Sequence, residues 1–207
     1  MHKLKQKILP QLFIINLRYV LGGAFVFASL IKIKGHRFTT LSGEVEPINS
    51  AWHFFETMYQ SGFYWKFIGI CQLLAGLLIM TQRYSKLGAV INLPIVLNIF
   101  IITLSYDFNY TPVITGLMLV ANIVLIIWDW NELKLLLNLR PIIENKSRME
   151  HNILWQIIGL LLFVFTFTYR ILVDKYDLVF WLTGFLAITV FGHVNGLLIN
   201  KLKSKTK

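Results

Sequence analysis

Long apolar runs alternate with short polar stretches along this chain. The runs cover residues 12–33, 63–80, 87–106, 113–130, 153–173 and 178–199. Each is close to the roughly 20 residues with which a helix crosses about 30 Å of hydrocarbon. Lipid offers the backbone no hydrogen-bond partner, and the alternation of a barrel strand is absent, so the runs are predicted to be transmembrane helices. The expectation is an all-α polytopic membrane protein with six spans. Residues 1–134 are expected to form a four-helix transmembrane bundle, 135–152 a cytoplasmic linker, and 153–207 a C-terminal two-helix hairpin with a basic tail. No internal repeat relates the two halves.

The segment joining the first two spans is the longest connection within the four-span core, and its second half is rich in aromatics. That composition predicts an interfacial or re-entrant helix around residues 47–62, started by Pro47 with Ser50 as N-cap and ended by Gly62.

Composition agrees with the pattern: 56% of residues are hydrophobic and 14% charged, and the mean hydropathy is +0.63, far from a soluble domain. The net charge of +10 raises the question of nucleic acid. The basic residues, however, are distributed by loop rather than clustered with aromatics on one surface, and no nucleic-acid partner is expected. One set of loops carries Lys3, Lys5, Lys7, Arg83, Lys86, Lys134, Arg140, Lys146, Arg148 and the lysines of the tail, Lys201 to Lys207. The other carries Lys32, Lys34, Arg37, Lys66, Arg170 and Lys175. The positive-inside rule then puts both termini in the cytoplasm of a multi-pass protein of the bacterial inner membrane. The basic N-terminus precedes an apolar run too long for a signal peptide, with no small-residue cleavage site behind it, so it is read as a retained first span. The single cysteine, Cys71, excludes a dithiol cycle within this chain.

Polar residues inside a span are expensive, so their spacing reports which face avoids lipid. Arg18, Gly22, Phe25, Ser29, Lys32 and His36 recur at steps of three and four and form one stripe if the helix continues to His36. Gly69, Gln72 and Gly76 mark a small-residue seam in the second span. Pro94 frees a carbonyl near Val90 in the third, for which Asn92 or Asn98 is a candidate partner. Thr115, Asn122 and Asp129 share a face of the fourth. Arg18 and Asp129 are expected at the same side of the membrane, where they are candidates for a structural ion pair. His193 in the last span is expected to hydrogen-bond a neighbour, because no set of ligands at a metal's spacing accompanies it and no metal is expected.

On the opposite side, Lys32, Lys34, His36 and Arg37 gather with His53, Glu44, Glu46, Glu56 and Asp107 among aromatics. Such a set either neutralises itself in solvent or forms a polar mouth over the bundle, suited to a flat amphipathic ligand such as a quinone head or to an anionic group. Phosphate-binding loops, zinc-protease helices, hydrolase elbows and dinucleotide fingerprints are all absent from the sequence.

Three stretches, Arg18 with "GGAFVFASLIK", then "IGICQLLAGLLIMTQRYSKLGAV", then a proline-bearing third and an asparagine-bearing fourth span, resemble the DoxX/DoxD-like membrane family over about residues 11–134. Ser29 stands where that family usually has glycine, and Gln72 where glutamate is common. The resemblance implies a four-helix bundle with Arg18, Lys32 and Gln72 at matching positions. It also implies association with a quinone- or thiol-linked redox partner. The expected function is a membrane subunit or anchor of such a system, binding a quinone or lipid head at the outer face through Lys32, His36 and Glu56, with Gln72 and Arg18 lining the bundle. Quinone would be a non-covalent cofactor, and the partners would be the bilayer and a redox enzyme subunit or a second copy. A self-contained catalytic motif is lacking. A structural or assembly protein that docks a partner is the alternative, and a small-solute transporter a weaker one, for want of inverted repeats.

Overall fold

The computed structural model describes residues 5–39, 41–141, 148–174 and 177–205, with the backbone alone given from 197 onward. Lys3, Lys146, Lys175 and Lys207, which enter the charge pattern, lie outside the described residues. The helices are α1 (Ile8–Ile33), α2 (Ala51–Gln60), α3 (Phe63–Met80), α4 (Ser85–Ser105), α5 (Thr111–Leu133), α6 (Ile153–Leu172) and α7 (Leu178–Lys205). All but α2 are long and apolar enough to cross a membrane, which makes six spans in a multi-pass membrane protein. No strand occurs among the described residues.

Helix α1 is the axis of the molecule. Its apolar residues surround it on several sides, as expected of a helix enclosed by others. One side, with Ile14, Leu21 and Phe25, builds a core with Ile79, Ala89, Val96, Leu125 and Trp128 of α3, α4 and α5. The other, with Ile15, Tyr19 and Val26, builds a second core with Trp155, Ile158, Leu162, Trp181 and Phe185 of α6 and α7. The C-terminal hairpin thus shares a core with α1 rather than hanging beside the bundle.

Small residues set the helix spacing. A Cβ at Gly22 would lie 2.7 Å from the Gly76 carbonyl oxygen, and one at Gly76 2.7 Å from that of Gly22. Gly69 meets Ser29, Lys32 and Ile33 in the same seam. Gly159 of α6 lies against the backbone carbonyl of Met80. Such approach lets backbones pack where lipid supplies no hydrophobic drive.

Helices α4 and α5 are zipped by polar pairs spaced two turns apart on α5. Asn92 Nδ2 donates to Asn122 Oδ1 at 3.0 Å, and Asn122 Nδ2 donates to the Ala89 carbonyl at 3.0 Å. The Thr103 and Thr115 hydroxyls lie 2.9 Å apart. Asn92 therefore serves the neighbouring helix and not the carbonyl that Pro94 frees; Pro94 itself sits inside an uninterrupted α4.

Helix α2 starts where the sequence predicts, its N-cap Ser50 Oγ accepting from the His53 amide at 3.2 Å, and Gly62 follows it with φ of 57°. It covers the end of the bundle at which α1 finishes, called here the Lys32 end; the other is the Arg18 end.

Gly159→Leu should destabilise the detergent-solubilised protein by about 2 kcal/mol or more, since the side chain meets backbone that cannot move aside. Gly116→Ala, which faces only the edge of the Phe100 ring at 3.1 Å, should cost much less. Equilibrium unfolding in mixed micelles checks both.

Candidate functional site

Two polar assemblies occupy the two ends of the bundle, and they treat charge in opposite ways. At the Arg18 end the guanidinium of Arg18, 1% exposed, donates from Nη2 to Asp129 Oδ2 at 2.8 Å and from Nη1 to Glu150 Oε2 at 2.9 Å. Nη1 also reaches Gln82 Oε1 at 3.1 Å. Arg148 closes the ring from the linker: Nη1 donates to Asp129 Oδ1 at 3.1 Å and to Glu150 Oε1 at 3.2 Å, and Nη2 to Glu132 Oε1 at 3.0 Å. Lys86 pairs with Glu132. Three cations, Arg18, Arg148 and Lys86, thus meet three carboxylates, Asp129, Glu150 and Glu132.

Arg18 and Asp129 lie together as a sequence reading places them, but Arg148, Glu150 and Gln82 come from connections and carry no helical periodicity to betray them. The one signal was a single carboxylate facing a guanidinium that has five donors. Gln11 fastens the linker, its Oε1 accepting from the Met149 amide at 2.7 Å. Burial pushes the Glu150 carboxyl up, but the Arg18 and Arg148 guanidiniums outweigh it and hold it below the usual carboxylate range.

At the Lys32 end the structure departs from the expected stripe. Helix α1 stops at Ile33, and Gly35 adopts φ of 71°, a left-handed turn that redirects the chain. His36 therefore leaves the stripe and its side chain is exposed, while its carbonyl accepts from Trp65 Nε1 at 2.9 Å. Glu56 also faces elsewhere. Its two oxygens accept from Arg37 Nε at 3.0 and 2.8 Å, and one accepts from the Gly43 amide at 3.2 Å. The hydrogen bond from Arg37 holds the Glu56 carboxyl below its ordinary range, against the opposing effect of burial. Glu56 thus anchors α2 to the preceding loop. Lys34 pairs with Asp174 at 2.7 Å.

Lys32 is different. It is 7% exposed and lines a cavity of about 500 Å³ among α1, α3, α4 and α5, roofed by Phe38 and by Phe55 and Met58 of α2. Its Nζ donates to the Ala28 carbonyl at 2.8 Å and lies 5.0 Å from the centre of the Phe38 ring and 5.3 Å from that of Trp65. None of the lining residues is acidic. Gln72, 3% exposed, lines the same cavity, and its Oε1 has no hydrogen-bond partner among the described residues. The rest of the wall is aliphatic and aromatic apart from Asn98, Thr103, Thr111, Thr115 and Cys71. Lys32 and Gln72 are thus brought together, Arg18 belongs to the other assembly, and the cavity itself had no signature in the sequence. His193 stays with its neighbours, 3.0 Å from Asn16 Nδ2 and 2.8 Å from the Thr189 carbonyl.

Arg18→Gln should cost about 3–5 kcal/mol of stability, because it removes the guanidinium between two buried carboxylates and leaves Arg148 alone to serve both, and should lower the folded yield in detergent. The wild type should also be acid-sensitive through Glu150. A carboxyl held low on folding stabilises fully above its unfolded pKa of about 4.3. That contribution is lost as pH falls through the still lower folded value, which unfolding midpoints measured from pH 7 down to pH 3 will show.

No protein-family model and no solved structure matches the chain. Over 130 residues it is 32% identical to a protein of Bacillus subtilis (strain 168) named "Uncharacterized protein YwoB", an alignment spanning 60% of this chain and 80% of that protein. By that identity and coverage, the chain belongs to the same family as YwoB.

Proposed function

We propose that this protein is a DoxX-like component of the bacterial inner membrane that takes the head group of a long-tailed amphiphile, a quinone or a lipid, into the cavity at the Lys32 end. The observation that carries this reading is a buried lysine Nζ and a buried Gln72 Oε1 without a partner among the described residues, both lining one apolar cavity of about 500 Å³. Cavities of roughly 300–1,000 Å³ with an apolar wall and a few polar groups are the usual form of a small-molecule site. A polar group buried without a partner is costly, and a head group with a hydroxyl, as in the quinol form of a quinone or a hydroxylated lipid head, would relieve that cost by donating to Gln72 Oε1 while accepting from Lys32.

The sides of the cavity favour a ligand drawn from the bilayer. Tyr64, Phe67 and Ile114 line the cavity and are themselves exposed, so a tail can pass between the helices into lipid. With the basic loops of the Arg18 end in the cytoplasm, the Lys32 end faces outward. A quinone there would make the protein a membrane subunit or anchor for a redox enzyme, which would supply the catalytic groups.

Protein purified gently from native membranes should yield near-stoichiometric quinone or lipid on solvent extraction, read by an absorbance scan and lipid mass spectrometry. Lys32→Met should lower that content at least about tenfold with helicity intact. A folded wild type that carries no amphiphile in any of several detergents would overturn the proposal.

A further inference from the structure

We infer that the head group taken at Lys32 is anionic: the ligand is an amphipathic acid, a carboxylate or phosphate monoester on an apolar tail, with Lys32 as its counter-ion. This rests on the proposed cavity function and decides between the head-group classes it leaves open.

The first support is the contrast with those cations of the molecule that have a carboxylate partner; Lys5 and Arg170, also buried, lie over the Trp128 and Phe27 rings. Arg18 has Asp129 and Glu150, Lys34 has Asp174, Arg37 has Glu56 and Glu44, Lys86 has Glu132, and Arg148 has three carboxylates. Even the half-exposed Arg37, which water alone would serve, is paired. Lys32 is among the more deeply buried of these, and no carboxylate among the described residues lies within ion-pair distance of it. It has one backbone carbonyl and two ring faces instead. Ring faces favour the charged ammonium over the neutral amine but do not cancel its charge. An ammonium offers three donors, and only one is used by a hydrogen bond. A neutral quinone carbonyl would accept a hydrogen bond and leave the charge uncompensated. An anion satisfies both.

The second support is the placement of the amides. A Cβ on Gly69 would touch Lys32 Cβ at 2.9 Å, so Lys32 is rooted one helical turn along α3 from Gln72. Asn98 of α4, an exposed residue, also lines the cavity. By helix rise, Gln72 and Asn98 lie roughly 14 Å and 10 Å from the Lys32 ends of their helices. Both amides therefore sit at hydrocarbon depth, where their N–H₂ groups can donate to oxygens of a carboxylate or phosphate, while Gln72 Oε1, the atom without a partner among the described residues, can accept from the P–OH of a singly ionised phosphate monoester. The apolar wall beyond, with Phe67, Ile99, Ile114 and Met118, fits the tail.

Cys71, the single cysteine, lines the same cavity and is half-buried, so it reports occupancy without any mutation. The wild type in detergent is labelled with N-ethylmaleimide, followed by intact mass, in the presence of palmitate, hexadecyl phosphate, hexadecanol, decylubiquinone or inorganic phosphate. Native mass spectrometry of the same mixtures scores binding independently of the thiol. The two acids should slow labelling about tenfold and appear bound. Hexadecanol, decylubiquinone and inorganic phosphate should each have less than about a twofold effect. Lys32→Gln, checked for native helicity, should level acid and alcohol. Equal protection by acids, alcohol and quinone overturns the anionic head and leaves the cavity function standing. No protection and no bound mass with any amphiphile overturns both.

Discussion

A guanidinium ten residues into a central transmembrane helix constrains the rest of this molecule. Arg18 is 1% exposed, and lipid cannot accept its hydrogen bonds, so carboxylates have to come to it. Asp129 comes from α5 and Glu150 from the linker. Those two anions would repel one another without a second cation between them, and Arg148 bridges both. The cluster therefore joins three parts of the chain that share no local sequence. It fixes α5 against α1 and pins the start of α6, which lets the hairpin settle on the far side of α1 with Trp155 and Gly159 against Tyr19 and Met80.

The two ends of the bundle use their charges differently. At the Arg18 end, Arg18, Arg148 and Lys86 pair with Asp129, Glu150 and Glu132 inside the protein. At the Lys32 end the acids are used elsewhere: Glu56 binds Arg37 and Gly43, and Asp174 binds Lys34. Those pairs hold the roof formed by α2 and the turn after α1. They leave Lys32 beneath that roof with two aromatic rings and an apolar space. Lys32 lines that space with no carboxylate of the described residues within ion-pair distance, and an anionic head group would bring the charge that the chain does not place there.

Much of the fold could be read from residue spacing because a membrane simplifies the physics. Apolar runs mark spans, and the second is bounded at Phe63 and Met80 in sequence and structure alike. The polar stripes Arg18–Gly22–Phe25–Ser29–Lys32 and Thr115–Asn122–Asp129 are buried as their helical period requires. The stripe fails at His36, where extrapolating the period ignored Gly35, the residue that permits a left-handed turn. Pairing of Glu56 with Arg37 and of Glu150 with Arg18 was not legible, since those contacts join loops to helices with no shared period. The cavity was not legible either. It is a gap between helices, and a gap follows from how whole helices diverge, not from any residue that lines it.

The most direct measurement is an experimental structure of the protein isolated in native-lipid nanodiscs without added ligand. The account predicts elongated density in the cavity, with a compact head in hydrogen-bonding contact with Lys32 Nζ and Gln72 and a tail leaving beside Phe67 and Ile114. A cavity that is empty, or Lys32 paired instead with a carboxylate of the chain itself, would contradict it.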